Sequence, residues 1–206
     1  MKLKRLILGQ LGTNCYIVYD EESKEAIVFD PADNAEKING TLNELGLNTL
    51  YIVITHAHCD HIAALDELVK STGAKVCIGE HDADALNDSG YSLCSAFGCT
   101  APDTKADVIL KDGSIIYLGG RKIEFITTPG HTRGGICAYF GNTLISGDTL
   151  FRESVGRSDF PGGSMAVLVN SIKTKLYCLP DDTEVFPGHG ESTTIGHEKK
   201  NNPFVW

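Results

Sequence analysis

The 206-residue chain sets 18 lysines and arginines against 27 aspartates and glutamates, a formal net charge of −9, with 42% of its residues apolar. That content supports one substantial domain over residues 1–206, and scattered basic residues exclude a nucleic-acid partner, which needs a concentrated basic face. No apolar run approaches the roughly 20 residues that span a bilayer, and the N-terminal "LILG" is too short for an export signal. With seven cysteines and no C-x-x-C pair, reduced thiols and a cytoplasmic location are expected.

Three short β-rich runs open the chain, "LKRLILG", "CYIVYD" and "EAIVFD", and read as a meander. "NAEKINGTLNEL" places Ile38, Leu42 and Leu45 at helical spacing, with Gly46 as the stop. A buried strand, "LYIVIT", leads into "HAHCDH" (56–61), and "HIAALDELVKSTG" predicts one helix ending at Gly73. The strand "KVCIG" and a short helix around "EHDADALN" precede a long loop at 88–106, which either covers a site or merely connects two strands. Thereafter "DVILKDGSIIYLGGRKIEFITT" predicts hairpin turns at Asp112–Gly113 and Gly119–Gly120, and "GICAYFGNTLIS" another at Gly141–Asn142. A helix over 164–178 and the strand "TEVF" complete the series. Strands precede helices in each half, so the expectation is an α+β fold in which two sheets pack together with helices outside.

Four of these strands deliver a candidate ligand just past their C-terminal end. "YIVIT" leads to His56, "EFITT" to "PGH" at His131, "TLIS" to "GD" at Asp148, and "TEVF" to "PGH" at His189. Ligands hung on strand ends converge on one edge while the sheet keeps them rigid. His56 and His58, two apart in an extended segment, project to the same side; Asp60 and His61 follow where the chain turns into the helix. Seven side chains result: His56, His58, Asp60, His61, His131, Asp148 and His189. They suit Zn²⁺ and also Fe or Mn, and are too many for one tetrahedral ion. Two divalent ions would use them all. Cys59 alternates away from the histidines, and His81 and His197 are read as ordinary surface or core residues.

The pattern "THAHCDH" followed by single His, Asp and His residues resembles the metallo-β-lactamase-fold hydrolases along nearly the whole chain. "GDTLFRESVGRSDFPGGS" (147–164) and "GHGESTTIGHEKKNNPF" (188–204) are most similar to its glyoxalase II (hydroxyacylglutathione hydrolase)-like group. The resemblance implies a four-layer αβ/βα sandwich. It also implies that His56, His58 and His131 hold one ion and Asp60, His61 and His189 the other, with Asp148 between them.

A thioester such as S-lactoylglutathione is then the implied substrate, cleaved to a hydroxy acid and a free thiol by water acidified between two ions, zinc foremost. Asp60 would also orient the attacking species. Arg157, in "SVGRSDF", would hold a carboxylate of the thiol carrier, or else pair with Asp159 or Glu153. Full-length glyoxalase II enzymes carry a C-terminal helical extension that adds contacts to glutathione; the expectation is that this chain, ending at Trp206, lacks it, which leaves the thiol carrier open. Persulfide dioxygenases, which use one iron and oxygen, share the ligand pattern and a Gly-Arg-x-Asp-Phe stretch; a metal-binding module without catalysis is the non-enzymatic alternative. Lactam hydrolases of this fold tend to have Cys at the place of Asp148, and flavodiiron reductases have Glu at that of His58.

Overall fold

Two six-stranded sheets face one another, each with helices on its outer side. The structure, a computed structural model, describes residues 1–205. In chain order the first sheet takes β1 (Lys2–Leu8), β2 (Thr13–Tyr19), β3 (Glu25–Phe29), β4 (Asn48–Ile54), β5 (Lys75–Gly79) and β6 (Val108–Leu110), interleaved with α1 (Ala35–Leu45), α2 (Cys59–Ile62), α3 (Leu65–Thr72) and α4 (Cys94–Phe97). The second takes β7 (Ile115–Leu118), β8 (Arg121–Thr127), β9 (Ile136–Phe140) and β10 (Thr143–Gly147). A small hairpin of β11 (Leu150–Phe151) and β12 (Ser154–Val155) and the helix α5 (Met165–Ser171) follow. β13 (Glu184–Pro187), β14 (Thr193–Thr194) and α6 (Ile195–Asn201) complete the chain.

Strand alternation builds the layers. Along β3, Ala26 and Val28 pack outward against α1 and α3, while Ile27 and Phe29 point between the sheets. β4 repeats this, Ile52 and Ile54 outward and Val53 inward; in the second sheet Ile145 faces the first sheet and Leu144 faces α5. Three apolar cores result: under α1 and α3, between the sheets, and under α5 and α6. This is the four-layer αβ/βα sandwich of the metallo-β-lactamase fold.

Register then brings the candidate ligands to one edge. β1, β2 and β3 form the antiparallel meander, and β3, β4 and β5 run parallel. β10 and β13 are parallel, and β8 shares their direction because β9 is antiparallel to both β8 and β10. Backbone hydrogen bonds stitch the two edges together, from Asn14 N–H to Gly188 O at 2.7 Å and from Ile136 N–H to Thr55 O at 2.9 Å.

Four expectations need correction. The helix after the histidines is broken into α2 and α3, because Ala64 N–H donates to Pro31 O at 2.9 Å instead of continuing the helical ladder. Asp112–Gly113 is not a hairpin turn: β6 pairs with β5 and β7 with β8, so the turn carries the chain from one sheet to the other. The segment around 80–87 forms only a 3₁₀ turn, Asp84–Asn87, and the loop 88–106 contains α4. The helix after Ser164 is α-helical to Ser171 and then widens into a π turn, Ile172–Leu176, closed by Tyr177 N–H on Ile172 O.

Phe125 is fully buried between the sheets. Phe125→Ala is expected to lower unfolding free energy by about 3–5 kcal/mol, read from urea denaturation monitored by circular dichroism.

Candidate metal centre

Each strand end delivers its side chain to the same place. His56 follows β4, His131 the end of β8, Asp148 β10 and His189 β13, while His58 caps the start of α2 and Asp60 and His61 sit within it. Three overlapping donor groups form, each with its ligand atoms within 4.8 Å of one another: His56, His58 and His131; His56, His61 and Asp148; Asp60, His61 and His189. Asp148 lies in the middle, with Oδ1 3.4 Å from His61 Nε2 and Oδ2 3.6 Å from His131 Nε2 and 3.7 Å from His189 Nε2. Asp60 Oδ2 stands 3.1 Å from His189 Nε2 and accepts from Thr13 Oγ1 at 3.0 Å.

Hydrogen bonds behind the rings decide which nitrogens face inward. His61 Nδ1 donates to Asp30 Oδ2 at 3.0 Å, so Nε2 is the nitrogen turned toward the other donors. Thr55 Oγ1 gives its only proton to Asp30 Oδ2 at 2.8 Å and therefore accepts from His56 Nδ1 at 3.1 Å. His131 Nδ1 donates to the carbonyl of Arg157 at 2.6 Å, leaving its Nε2 aimed at His58 Nδ1, 2.9 Å away. Such outer partners fix tautomer and ring orientation at metal sites.

The donor set fits a cation. His56 Nε2, His61 Nε2 and Asp148 Oδ1 are buried and find no hydrogen-bond partner among the described residues, a combination that native interiors rarely tolerate without an ion or water. Burial, reinforced by the neighbouring histidines, holds His56 well below the usual imidazole range and His58 at about 3, so both are neutral, as ligands must be. Burial also pushes His61 down, but the carboxylates of Asp60, Asp148 and Asp30 outweigh it and raise it to about 10. Burial likewise opposes the charge on Asp60, yet His61, His189 and Thr13 hold its carboxyl far below the ordinary carboxylate range. The nest thus sets the neutral imidazoles of His56 and His58 on one side against Asp60 and a protonated His61 on the other, a proton that a bound cation would displace.

A cavity of about 490 Å³ opens over this nest, lined by His58, Asp60, His131, Asp148 and His189 and walled by apolar side chains. Arg157 lines it too. Its guanidinium pairs with Asp159, Nε to Oδ1 at 3.0 Å and Nη2 to Oδ2 at 2.8 Å, and lies 4.2 Å over the Phe160 ring; Glu153 instead faces His197 at 2.9 Å. Cys59 points away from the histidines and packs with Cys94, Ala101 and Leu93; burial lifts its thiol to about 12.

Residues 8–189 match the metallo-beta-lactamase superfamily. The chain belongs to that superfamily. Among curated relatives, the hydroxyacylglutathione hydrolase GloC of Haemophilus influenzae is 36% identical over all of this chain and 98% of its own length. Among solved structures, the BLEG-1 B3 metallo-beta-lactamase superposes with a TM-score of 0.94 at 35% identity, covering 99% of each chain. TTHA1623 in a di-iron-bound form superposes at 0.87 with 35% identity, over 98% of this chain and 100% of its own. A His/Asp cluster for divalent metal is typical of the superfamily, and this chain has one.

Sequence reasoning passed over the residues that orient the rings. Asp30 directly follows β3 in "VFDP" and obeys the same strand-end rule as the four candidate ligands, so a signal existed. Thr55, Thr13 and the Arg157 carbonyl carried none. Asp82, fully buried, accepts from Gly134 N–H at 2.7 Å and Ala57 N–H at 3.2 Å and ties the histidine segment to the loop after His131.

Asp30→Asn keeps the shape but sets an amide where His61 and Thr55 donate. It is expected to leave the fold intact and to weaken metal affinity by about 10–100-fold in chelator competition; affinity equal to the wild type would remove Asp30 from the orienting role.

Proposed function

We propose that this chain is a dinuclear metal-dependent hydrolase of thioesters, of the glyoxalase II kind, working as a single domain on a small-molecule substrate such as S-lactoylglutathione. The observation that carries the reading is the pair of donor triads with Asp148 set between them. His56, His58 and His131 would hold one ion and Asp60, His61 and His189 the other, with zinc the first choice and iron or manganese suited to the same donors. Bound there, such ions acidify water near neutral pH and polarise a carbonyl oxygen.

The chain's own residues supply the rest. Asp60, held ionised, can accept a hydrogen bond from the attacking water and keep it aimed at the substrate. Arg157 stands at the cavity mouth, where its guanidinium can exchange Asp159 for a carboxylate of the thiol carrier. The Arg157 carbonyl meanwhile keeps His131 oriented, so the loop that meets substrate also braces a ligand. GloC, named as a hydroxyacylglutathione hydrolase, supports the thioester class. The net charge of −9 gives no footing for a nucleic-acid partner, and seven free thiols fit a reducing compartment such as the cytoplasm. The likeness to BLEG-1 favours β-lactams as a second reading.

Elemental analysis of the purified protein, paired with thiol release from S-lactoylglutathione, separates these. About two metal ions per chain are expected, with turnover that falls by about 10²-fold or more in Asp60→Ala. Cephalosporin hydrolysis without thiol release would favour the lactam reading. One iron per chain with oxygen uptake on glutathione persulfide would replace hydrolysis with dioxygenation.

A further inference from the structure

The cavity over the metal centre is asymmetric. Arg157 is the single lysine or arginine among its lining residues. It lies on Phe160, whose ring stacks edge-on against His58 at 5.5 Å, so the cationic end belongs to the side of His56, His58 and His131. Leu11 and Phe97 lie elsewhere: both also line an adjoining depression with Thr13, Cys59 and Asp60, which places them on the Asp60 side. There Leu11 is 52% and Phe97 57% exposed, large apolar groups left uncovered beside a polar centre. Phe151, edge-on to His189 at 6.1 Å, extends the same wall.

This wall is built rather than incidental. Leu93 lines the cavity from a left-handed conformation, φ 65°, which a leucine adopts at a cost. The surrounding segment is tied down: Ser92 O accepts from Cys59 N–H at 2.8 Å, Asn87 Nδ2 donates to Pro102 O and Thr104 O, and Asp66 holds the N–H groups of Asp103 and Thr104. The segment 88–106 thus forms part of the site, and α4 presents Phe97 to it.

We infer that the Leu11–Leu93–Phe97 wall receives the acyl part of the substrate, and that it favours an apolar acyl chain over a short hydroxy acid such as lactoyl. The assignment rests on the thioester reading above. A carrier carboxylate on Arg157 and a carbonyl over the ligands leave the acyl group on the Asp60 side, where Leu11, Phe97 and Phe151 line the cavity itself; Gln10, Thr13 and Asp33 line the adjoining depression instead, and Thr13 is already bonded to Asp60. Each methylene buried there strengthens binding by about threefold to fourfold.

Two thioethers that cannot be hydrolysed, S-hexylglutathione and S-methylglutathione, test the wall by calorimetric titration of the purified protein. The hexyl compound is expected to bind at least about tenfold more tightly, a discounted value for a half-exposed wall. Phe97→Ala narrows that ratio by about fivefold, whereas Tyr117→Ala, an equally exposed aromatic in β7, leaves it in place. Equal affinity of the two thioethers, or a ratio indifferent to Phe97, overturns the inference. Thiol release from S-hexanoyl- and S-lactoylglutathione then separates the two readings. A hexyl preference with no release from either sinks thioester hydrolysis while the apolar wall stands. Faster release from the lactoyl compound with equal thioether affinities sinks the wall while hydrolysis stands.

Discussion

One buried carboxylate holds the centre in shape. Asp30, at the end of β3, accepts from Thr55 N–H at 2.7 Å, from Thr55 Oγ1 at 2.8 Å and from His61 Nδ1 at 3.0 Å. Through Thr55 it reaches His56, so a residue touching no substrate sets the direction of one ring in each donor triad. A carboxyl group this buried is tolerated only when its acceptor positions are filled. Here they are filled by the groups that must be oriented. Its backbone sits at φ 48°, tolerable for an aspartate, and its N–H is satisfied by Val53 O in the neighbouring strand.

Around that knot, close approach matters as much as charge. A Cβ on Gly188 would collide with Asp148 Oδ1 and crowd the His61 ring, so the turn carrying His189 can lie against the other ligands only without a side chain there. Asn14 secures the same turn, donating through Nδ2 to Pro187 O at 2.9 Å and Gly190 O at 3.0 Å, and Tyr16 OH adds a bond to Pro187 O at 2.7 Å. β2 of the first sheet therefore fixes a ligand from the second.

Much of this was legible beforehand, for stated physical reasons. Period-two alternation marks strands, and a His or Asp directly after an apolar strand marks an edge, so the seven converging residues could be picked out before any coordinates. What alternation does not encode is partnership. "VILKDGSIIYL" reads as a hairpin because a strand pattern carries no record of which sheet it joins. The break between α2 and α3 is invisible for the same reason: it depends on Pro31 O, a carbonyl more than thirty positions away in the chain. The apolar wall escaped notice because α4 is four residues long and too short for any periodicity.

The segment 88–106 contributes no residue to the three candidate donor groups, whose members follow strand ends or lie at the start of α2. The segment is joined to that centre by the hydrogen bond from Cys59 N–H to Ser92 O and by packing of Cys59 against Cys94. Replacements at Leu93 and Phe97 therefore change the lining of the cavity without removing any of the seven candidate donor side chains.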